Sequence, residues 1–182
     1  MKTKRRDFLK TAGLAGLGIL TGARKGFGSK NKNLNPYQFP HDQKFNMSGY
    51  VAPRIDSVRI GIIGMGGRGS SHLRTWIQVE GVEVKALADI VPENAKEAKK
   101  SLKGTDHDPE LYTGSKDAWK KLCERDDIDL VIITSPWYLH ARMGIYAMEQ
   151  GKHACSEVPA AGTIEECGKL VETSERTRKH FR

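Results

Sequence analysis

The feature that most constrains this chain is a short β-branched run that ends in glycines. Val58-Arg-Ile-Gly-Ile-Ile63 flows into Gly64-Met-Gly66-Gly67-Arg68-Gly69. Such a run suits a strand buried on both faces. The segment that follows is helical in period, with Leu73, Trp76 and Ile77 at i, i+3 and i+4. A strand, a glycine turn and a helix in that order leave few folds open. Gly64 allows the tight turn, Gly66 lets a ligand approach the backbone, and Gly69 lets the helix pack close to the strand.

The rest of the chain repeats the alternation. Val82 to Ala88 predicts a second strand, and Pro92 opens a helix reaching about Leu102. Glu110 to Thr113 predicts a short strand. Ser115 can cap a helix that carries Trp119, Leu122 and Cys123 on one face. Asp129 to Thr134 is the clearest buried strand. Leu139 to Gln150 is helical with Gly151 as its stop, and His153 to Ser156 is another strand. Thr163-Ile-Glu-Glu166 has capping-box spacing and opens a last helix, with Ile164, Cys167, Leu170 and Val171 expected inward. Strand and helix alternating about five times predict an α/β fold, a doubly wound parallel sheet with helices on both faces.

The glycine turn then acquires a chemical meaning. GxGxxG alone is weak, but here a strand precedes it, a helix follows, and Asp89 ends the next strand twenty residues beyond Gly69. That is the fingerprint of a dinucleotide-binding Rossmann unit. The helix N-terminus faces the diphosphate and the acid faces the ribose hydroxyls. A carboxylate at Asp89 repels a 2′-phosphate, so NAD is expected rather than NADP. Arg68, inside the loop, is expected to reach the diphosphate. The bland alternative is a ligand-free glycine turn.

Charge separates the chain into parts. The net charge is +8, from 30 Lys and Arg against 22 Asp and Glu. Residues 1–32 hold nine of those bases and one acid, which leaves 21 of each in residues 33–182. A nucleic-acid surface on the folded domain therefore loses its support. The basic start reads as a leader. Arg5-Arg6 precede Phe8-Leu9-Lys10, a mildly apolar Ala12 to Leu20, and Thr21-Gly22-Ala23 as the best cleavage site. This order resembles a twin-arginine export signal over residues 1–30, which implies a periplasmic or envelope location. The alternative is a basic amphipathic helix lying on a membrane surface. No run reaches the roughly 20 apolar residues of a membrane span. Residues 31–57, with Pro36, Pro40 and Pro53, read as a linker or an arm draped over the domain, and 58–182 as the nucleotide-binding domain. Cys123, Cys155 and Cys167 form no metal or disulfide pattern and are expected as buried small hydrophobes, so no metal is expected.

At the carboxyl ends of the last two strands lie Ser135-Pro136-Trp137-Tyr138-Leu139-His140 and Glu157-Val158-Pro159. Ligands of open parallel sheets bind beyond those ends. On geometry alone, Trp137 and His140 are more often packing and capping residues, and Glu157 is a crevice acid or a solvated loop carboxylate. From Val58 to Arg182 these pieces resemble the N-terminal domain of the Gfo/Idh/MocA oxidoreductase family. That family adds a C-terminal substrate domain and commonly ends its fifth strand Glu-Lys-Pro. Val158 stands in the lysine position, which argues against ordinary sugar dehydrogenation. Ser135-Pro-Trp137-x-x-His140, Glu157-Val158 and Thr163-x-Glu-Glu-Cys167 together resemble the glycoside hydrolase family 109 branch, NAD-dependent α-N-acetylgalactosaminidases. The resemblance implies cofactor contacts at Gly67-Arg68, Asp89, Trp137, Tyr138, Leu139, His140, Glu157 and Val158. It implies transient oxidation of the sugar by bound NAD, loss of the glycosidic bond by elimination, and regeneration of the cofactor within each turnover.

The catalytic residues and the carbohydrate substrate site are then expected beyond Arg182, as is a further strand. The chain is accordingly expected to be inactive alone, with homo-oligomerisation left for the full-length form. Two other readings stay open: the front of an NAD-dependent sugar or polyol dehydrogenase, and a non-catalytic dinucleotide-binding module.

Overall fold

The computed structural model describes residues 43–182. The leader reading, residues 1–30, lies outside the described residues, as does the arm before residue 43.

Five strands form one sheet in the order β3-β2-β1-β4-β5. They are β1 (Val58–Ile63), β2 (Val82–Asp89), β3 (Glu110–Thr113), β4 (Leu130–Ile133) and β5 (His153–Ser156). Every pairing is parallel, with Val58 opposite Val82, Ile60 opposite Leu130 and Val131 opposite Ala154. The helices are α1 (Gly67–Trp76), α2 (Pro92–Lys100), α3 (Ala118–Cys123), α4 (His140–Glu149) and α5 (Ile164–Thr177).

The two-residue period of the strands divides the core. Ile60, Ile62, Val84, Leu87 and Ile132 pack with Leu73 of α1 and Ala98 of α2. Ile63, Ala86, Ala88, Val131 and Ile133 pack with α3, α4 and Leu170 of α5. Helices therefore cover both faces, as the continuous apolar strands require. Each fully buried Ile or Leu contributes roughly 1.5–3 kcal/mol relative to exposure. Crossing between the two faces places β1 and β4 side by side with their helices on opposite faces, and a crevice opens at their carboxyl ends.

Three expectations need correction. The first concerns α5, which buries Leu170, Thr173 and Glu175, while Ile164, Val171 and Cys167 are exposed. Inward Glu175 finds a partner there, accepting a hydrogen bond from Gln43 Nε2 at 2.9 Å. The cysteine reading holds fully only for Cys123, whose thiol burial pushes up to about 12; Cys155 is half-buried and raised to about 11. The second concerns Ser115, which does not cap α3. Asp117 is the N-cap and Ser115 stabilises the turn before it. The third concerns the last residues. Helix α5 stops at Thr177, Arg178 takes a left-handed turn (φ 58°), and His180–Arg182 then run parallel to β5. Ala154 N donates to His180 O at 3.0 Å, and Ser156 N to Arg182 O at 2.7 Å. Phe181 thus already forms a parallel bridge beyond β5.

The described part of the arm lies against these residues. Phe45 meets Tyr50 edge-on, and Tyr50 packs on His180. Among the described residues no helix is long and apolar enough to cross a membrane.

Candidate functional site

The turn after β1 is clamped by backbone and by one hydroxyl. Gly64 has φ 93°, a conformation that disfavours any side chain. Its N–H donates to Ala88 O at 2.7 Å, and Thr134 Oγ1 donates to Gly64 O at 2.5 Å. A Cβ on Gly69 would overlap the Gly64 carbonyl oxygen and come within 2.8 Å of Thr134 Oγ1. Only glycine fits at this closest approach of helix and turn. Around Gly66 and Gly67 an added Cβ meets nothing within 4 Å, so the loop faces open space. Gly66 is the N-cap of α1, with no side chain capping the helix and no acid in its first turn. Free N–H groups at the start of a ten-residue helix, opening onto space, form a seat for an anion.

Asp89 lies at the rim. Its carboxylate accepts Met65 N at 2.6 Å and Val91 N at 2.8 Å, which ties the end of β2 to the glycine loop. Each oxygen keeps a lone pair for a hydroxyl. Beside it opens a cleft of about 320 Å³. Ile63, Ala88, Ile90, Tyr112 and Met143 contribute apolar walls, and Ser115 and Lys116 line the same cleft. A flat aromatic base with a ribose at Asp89 fits such a cleft, with the diphosphate over Gly66 and Gly67. These residues could hold a dinucleotide.

The second half of the crevice is built by the loops after β4 and β5. β4 ends at Ile133, and Pro136 caps a single 3-10 turn, Trp137–Leu139, leading into α4. Trp137 and Tyr138 are 55% and 61% exposed, and Leu139 is half-buried in the cleft wall. The sequence places His140 among the contacts; the structure places it beneath them. It is 1% exposed, with Nε2 at 2.8 Å from Ser135 O and Nδ1 at 2.8 Å from Pro159 O. No ring nitrogen is left for a ligand. His140 instead joins the β4 loop to the β5 loop.

Glu157 follows the last residue of β5, and Val158 beside it is 85% exposed. The Glu157 carboxylate accepts a hydrogen bond from His72 and pairs with Arg68 at 3.2 Å. The His72 bond, with the Arg68 charge added, holds Glu157 below its usual carboxylate range, against the upward push of burial. Arg68, expected at the diphosphate, pairs with Glu157. Sequence reasoning missed His72 and Thr134. His72 had a signal: it stands four residues after Arg68, so both share one face of α1. Thr134 had none, since only its contact with the glycine turn, 70 residues away, reveals its part.

The family model described as Gfo/Idh/MocA, an oxidoreductase family with an NAD-binding Rossmann fold, matches residues 58–182. A glycosyl hydrolase family 109 protein of Phocaeicola vulgatus is 53% identical over 71% of this chain and 28% of its own length. An alpha-N-acetylgalactosaminidase of Bacteroides fragilis is 50% identical over 72% of this chain and 31% of its own. The chain thus spans under a third of the length of these two curated relatives. Among solved structures, apo scyllo-inositol dehydrogenase from Lactobacillus casei superposes with a TM-score of 0.61 and 26% identity, over 70% of this chain and 36% of that one.

Proposed function

This chain belongs to the Gfo/Idh/MocA oxidoreductase family with its NAD-binding Rossmann fold, and from that membership we propose that it is the NAD-binding portion of an exported glycosidase acting on α-N-acetylgalactosaminides. The family implies an NAD(P) cofactor; the carboxylate of Asp89 at the ribose end of the cleft favours NAD. Bound there, NAD supplies reversible oxidation of the sugar, which makes an elimination at the glycosidic carbon accessible. The chain's own residues bind and orient. Gly66, Gly67 and the first turn of α1 seat the diphosphate. Asp89 accepts the ribose hydroxyls. Trp137, Tyr138 and Leu139 border the crevice that runs on towards Glu157 and Val158.

Val158 is the observation that carries the choice of a glycosidase over a dehydrogenase. It is 85% exposed at the carboxyl end of β5 and has no ionisable group. This chain therefore offers no proton carrier at the position where the resemblance puts the dehydrogenase lysine. The similarity to family 109 relatives supports the same reading. The activity is proposed for a protein that carries a substrate domain, with residues 1–182 inactive by themselves. Assay of that longer protein on an α-N-acetylgalactosaminide should show hydrolysis that requires NAD without net NADH. Net NADH from free sugar, with no hydrolysis, would establish the dehydrogenase instead.

Export by the twin-arginine route belongs to the same reading. That route carries folded proteins, so an enzyme folded around retained NAD keeps its cofactor outside the cytoplasm. Denaturing the exported protein should release NAD into the supernatant; a nucleotide-free supernatant overturns the link.

A further inference from the structure

The Arg68–His72–Glu157 cluster contains a residue to which neither the motif nor the resemblance gives a role. Arg68 and His72 project from successive turns of α1, and both meet one carboxylate 85 and more residues away in sequence. Glu157 is three-quarters buried, whereas Arg68 is 67% exposed and free to turn towards solvent. His72 is more enclosed, at 35% exposure, and takes the shorter of the two contacts. A carboxylate at the edge of a diphosphate seat repels the ligand unless it is held and neutralised. It also competes with the diphosphate for Arg68, because a guanidinium binds either anion well.

We propose that His72 is a positioning residue: by holding the Glu157 carboxylate against the second turn of α1, it fixes the loop after β5 and frees Arg68 for the dinucleotide diphosphate. This rests on the NAD reading for its consequence and on geometry alone for its cause. Glu157 begins the segment Glu157–Gly162. His140 reaches that segment at Pro159, and Glu166 Oε2 accepts Gly162 N at 2.8 Å. The segment is thus fastened at its middle and end by α4 and α5. His72 fastens its start to α1, on the opposite face of the sheet.

Two measurements on the chain of residues 1–182 test the proposal. The first needs no nucleotide. Amide exchange across Val158 to Gly162 should quicken several-fold in His72→Leu and far less in His72→Gln, which keeps a donor. Unchanged exchange in both variants overturns the positioning role. The second is a double-mutant cycle on NAD affinity by calorimetry. His72→Leu should weaken binding about tenfold in the native background and less than about twofold in Glu157→Gln, because the carboxylate it restrains is then gone. Equal losses in both backgrounds overturn the proposal and make His72 a direct contact. A native chain that binds no NAD, while exchange responds as expected, removes the cofactor reading and leaves the positioning role standing. His72 is partly exposed, so both variants should keep the native circular dichroism.

Discussion

At the carboxyl end of β1 the chain turns within one βαβ unit. Gly64, Gly69, Ala88 and Asp89 belong to neighbouring elements and meet through backbone groups and missing side chains. At the carboxyl ends of β4 and β5 the same sheet edge is assembled from parts far apart. His140 reaches Pro159, Glu157 reaches His72, and Trp137 fills the space above Gly162, where an added Cβ would lie 2.8 Å from its ring. The diphosphate side is therefore specified by close approach and the β4–β5 side by long side chains. A single methyl should break the first, whereas the second should fail one tie at a time.

The largest effect is expected at Gly69. Gly69→Val drives a branched side chain into the Gly64 carbonyl and the Thr134 hydroxyl, with no direction in which backbone can yield. Overpacking of that kind costs about 3 kcal/mol, and the displaced turn should lower NAD affinity at least about a hundredfold. Near-native affinity in this variant would show that the diphosphate does not sit on this turn. His140→Ala comes next, and it separates packing from contact. Losing the buried ring and the hydrogen bond its N–H donates should cost about 3 kcal/mol in urea denaturation. Affinity should fall mainly through looser loops. Unchanged stability with lost affinity would return His140 to the cofactor contacts that the resemblance implies.

The same contrast explains what could be read from the sequence. The strands, the glycine turn and Asp89 were legible because their signals are local: a period of two, a fixed glycine spacing and an acid at the next strand end. The exposed Ile164, Cys167 and Val171 were not, because which face of α5 is buried depends on where α4 and the arm lie. Gln43 accommodates Glu175 from 132 residues away. A packing role for His140 was legible from its place at a helix start, but its partners were hidden, since only the folded β5 loop supplies its second carbonyl. Val158 was legible as a departure from a pattern, but its exposure required the structure.

Asp89 allows a smaller test within the diphosphate side. Asp89→Asn removes the charge and keeps an acceptor for one of the two amides it holds. Lys116 lines the same cleft and can then meet a 2′-phosphate. The preference for NAD over NADP should fall about tenfold, close to 1.4 kcal/mol. A preference that does not move would confine Asp89 to bracing the loop.

The smallest expected effect is a pH response confined to the β5 side. The Gly64 turn is clamped by Ala88 O and Thr134 Oγ1, which do not titrate in this range. The tie between α1 and the β5 loop depends on an ionised Glu157. The hydrogen bond from His72 and the charge of Arg68 hold its pKa below the usual carboxylate range. A depressed carboxylate contributes stability that is fully present above the unfolded value and is lost as pH falls through the lower folded value. The tie should therefore hold at pH 5 and above and weaken only below about pH 4.5. Because Arg68 is largely exposed, solvent screens its share and the response should be modest. Exchange at residues 158–161, corrected for intrinsic rates, should rise roughly two- to threefold towards pH 4, while Gly64, whose N–H is held by the Ala88 carbonyl, stays unchanged. Glu157→Gln should abolish that rise, since the carboxylate of this tie is then gone, whereas Gly162 answers to Glu166 as well. A rise that survives this substitution would place the acid-sensitive group elsewhere and erase the contrast between the two sides.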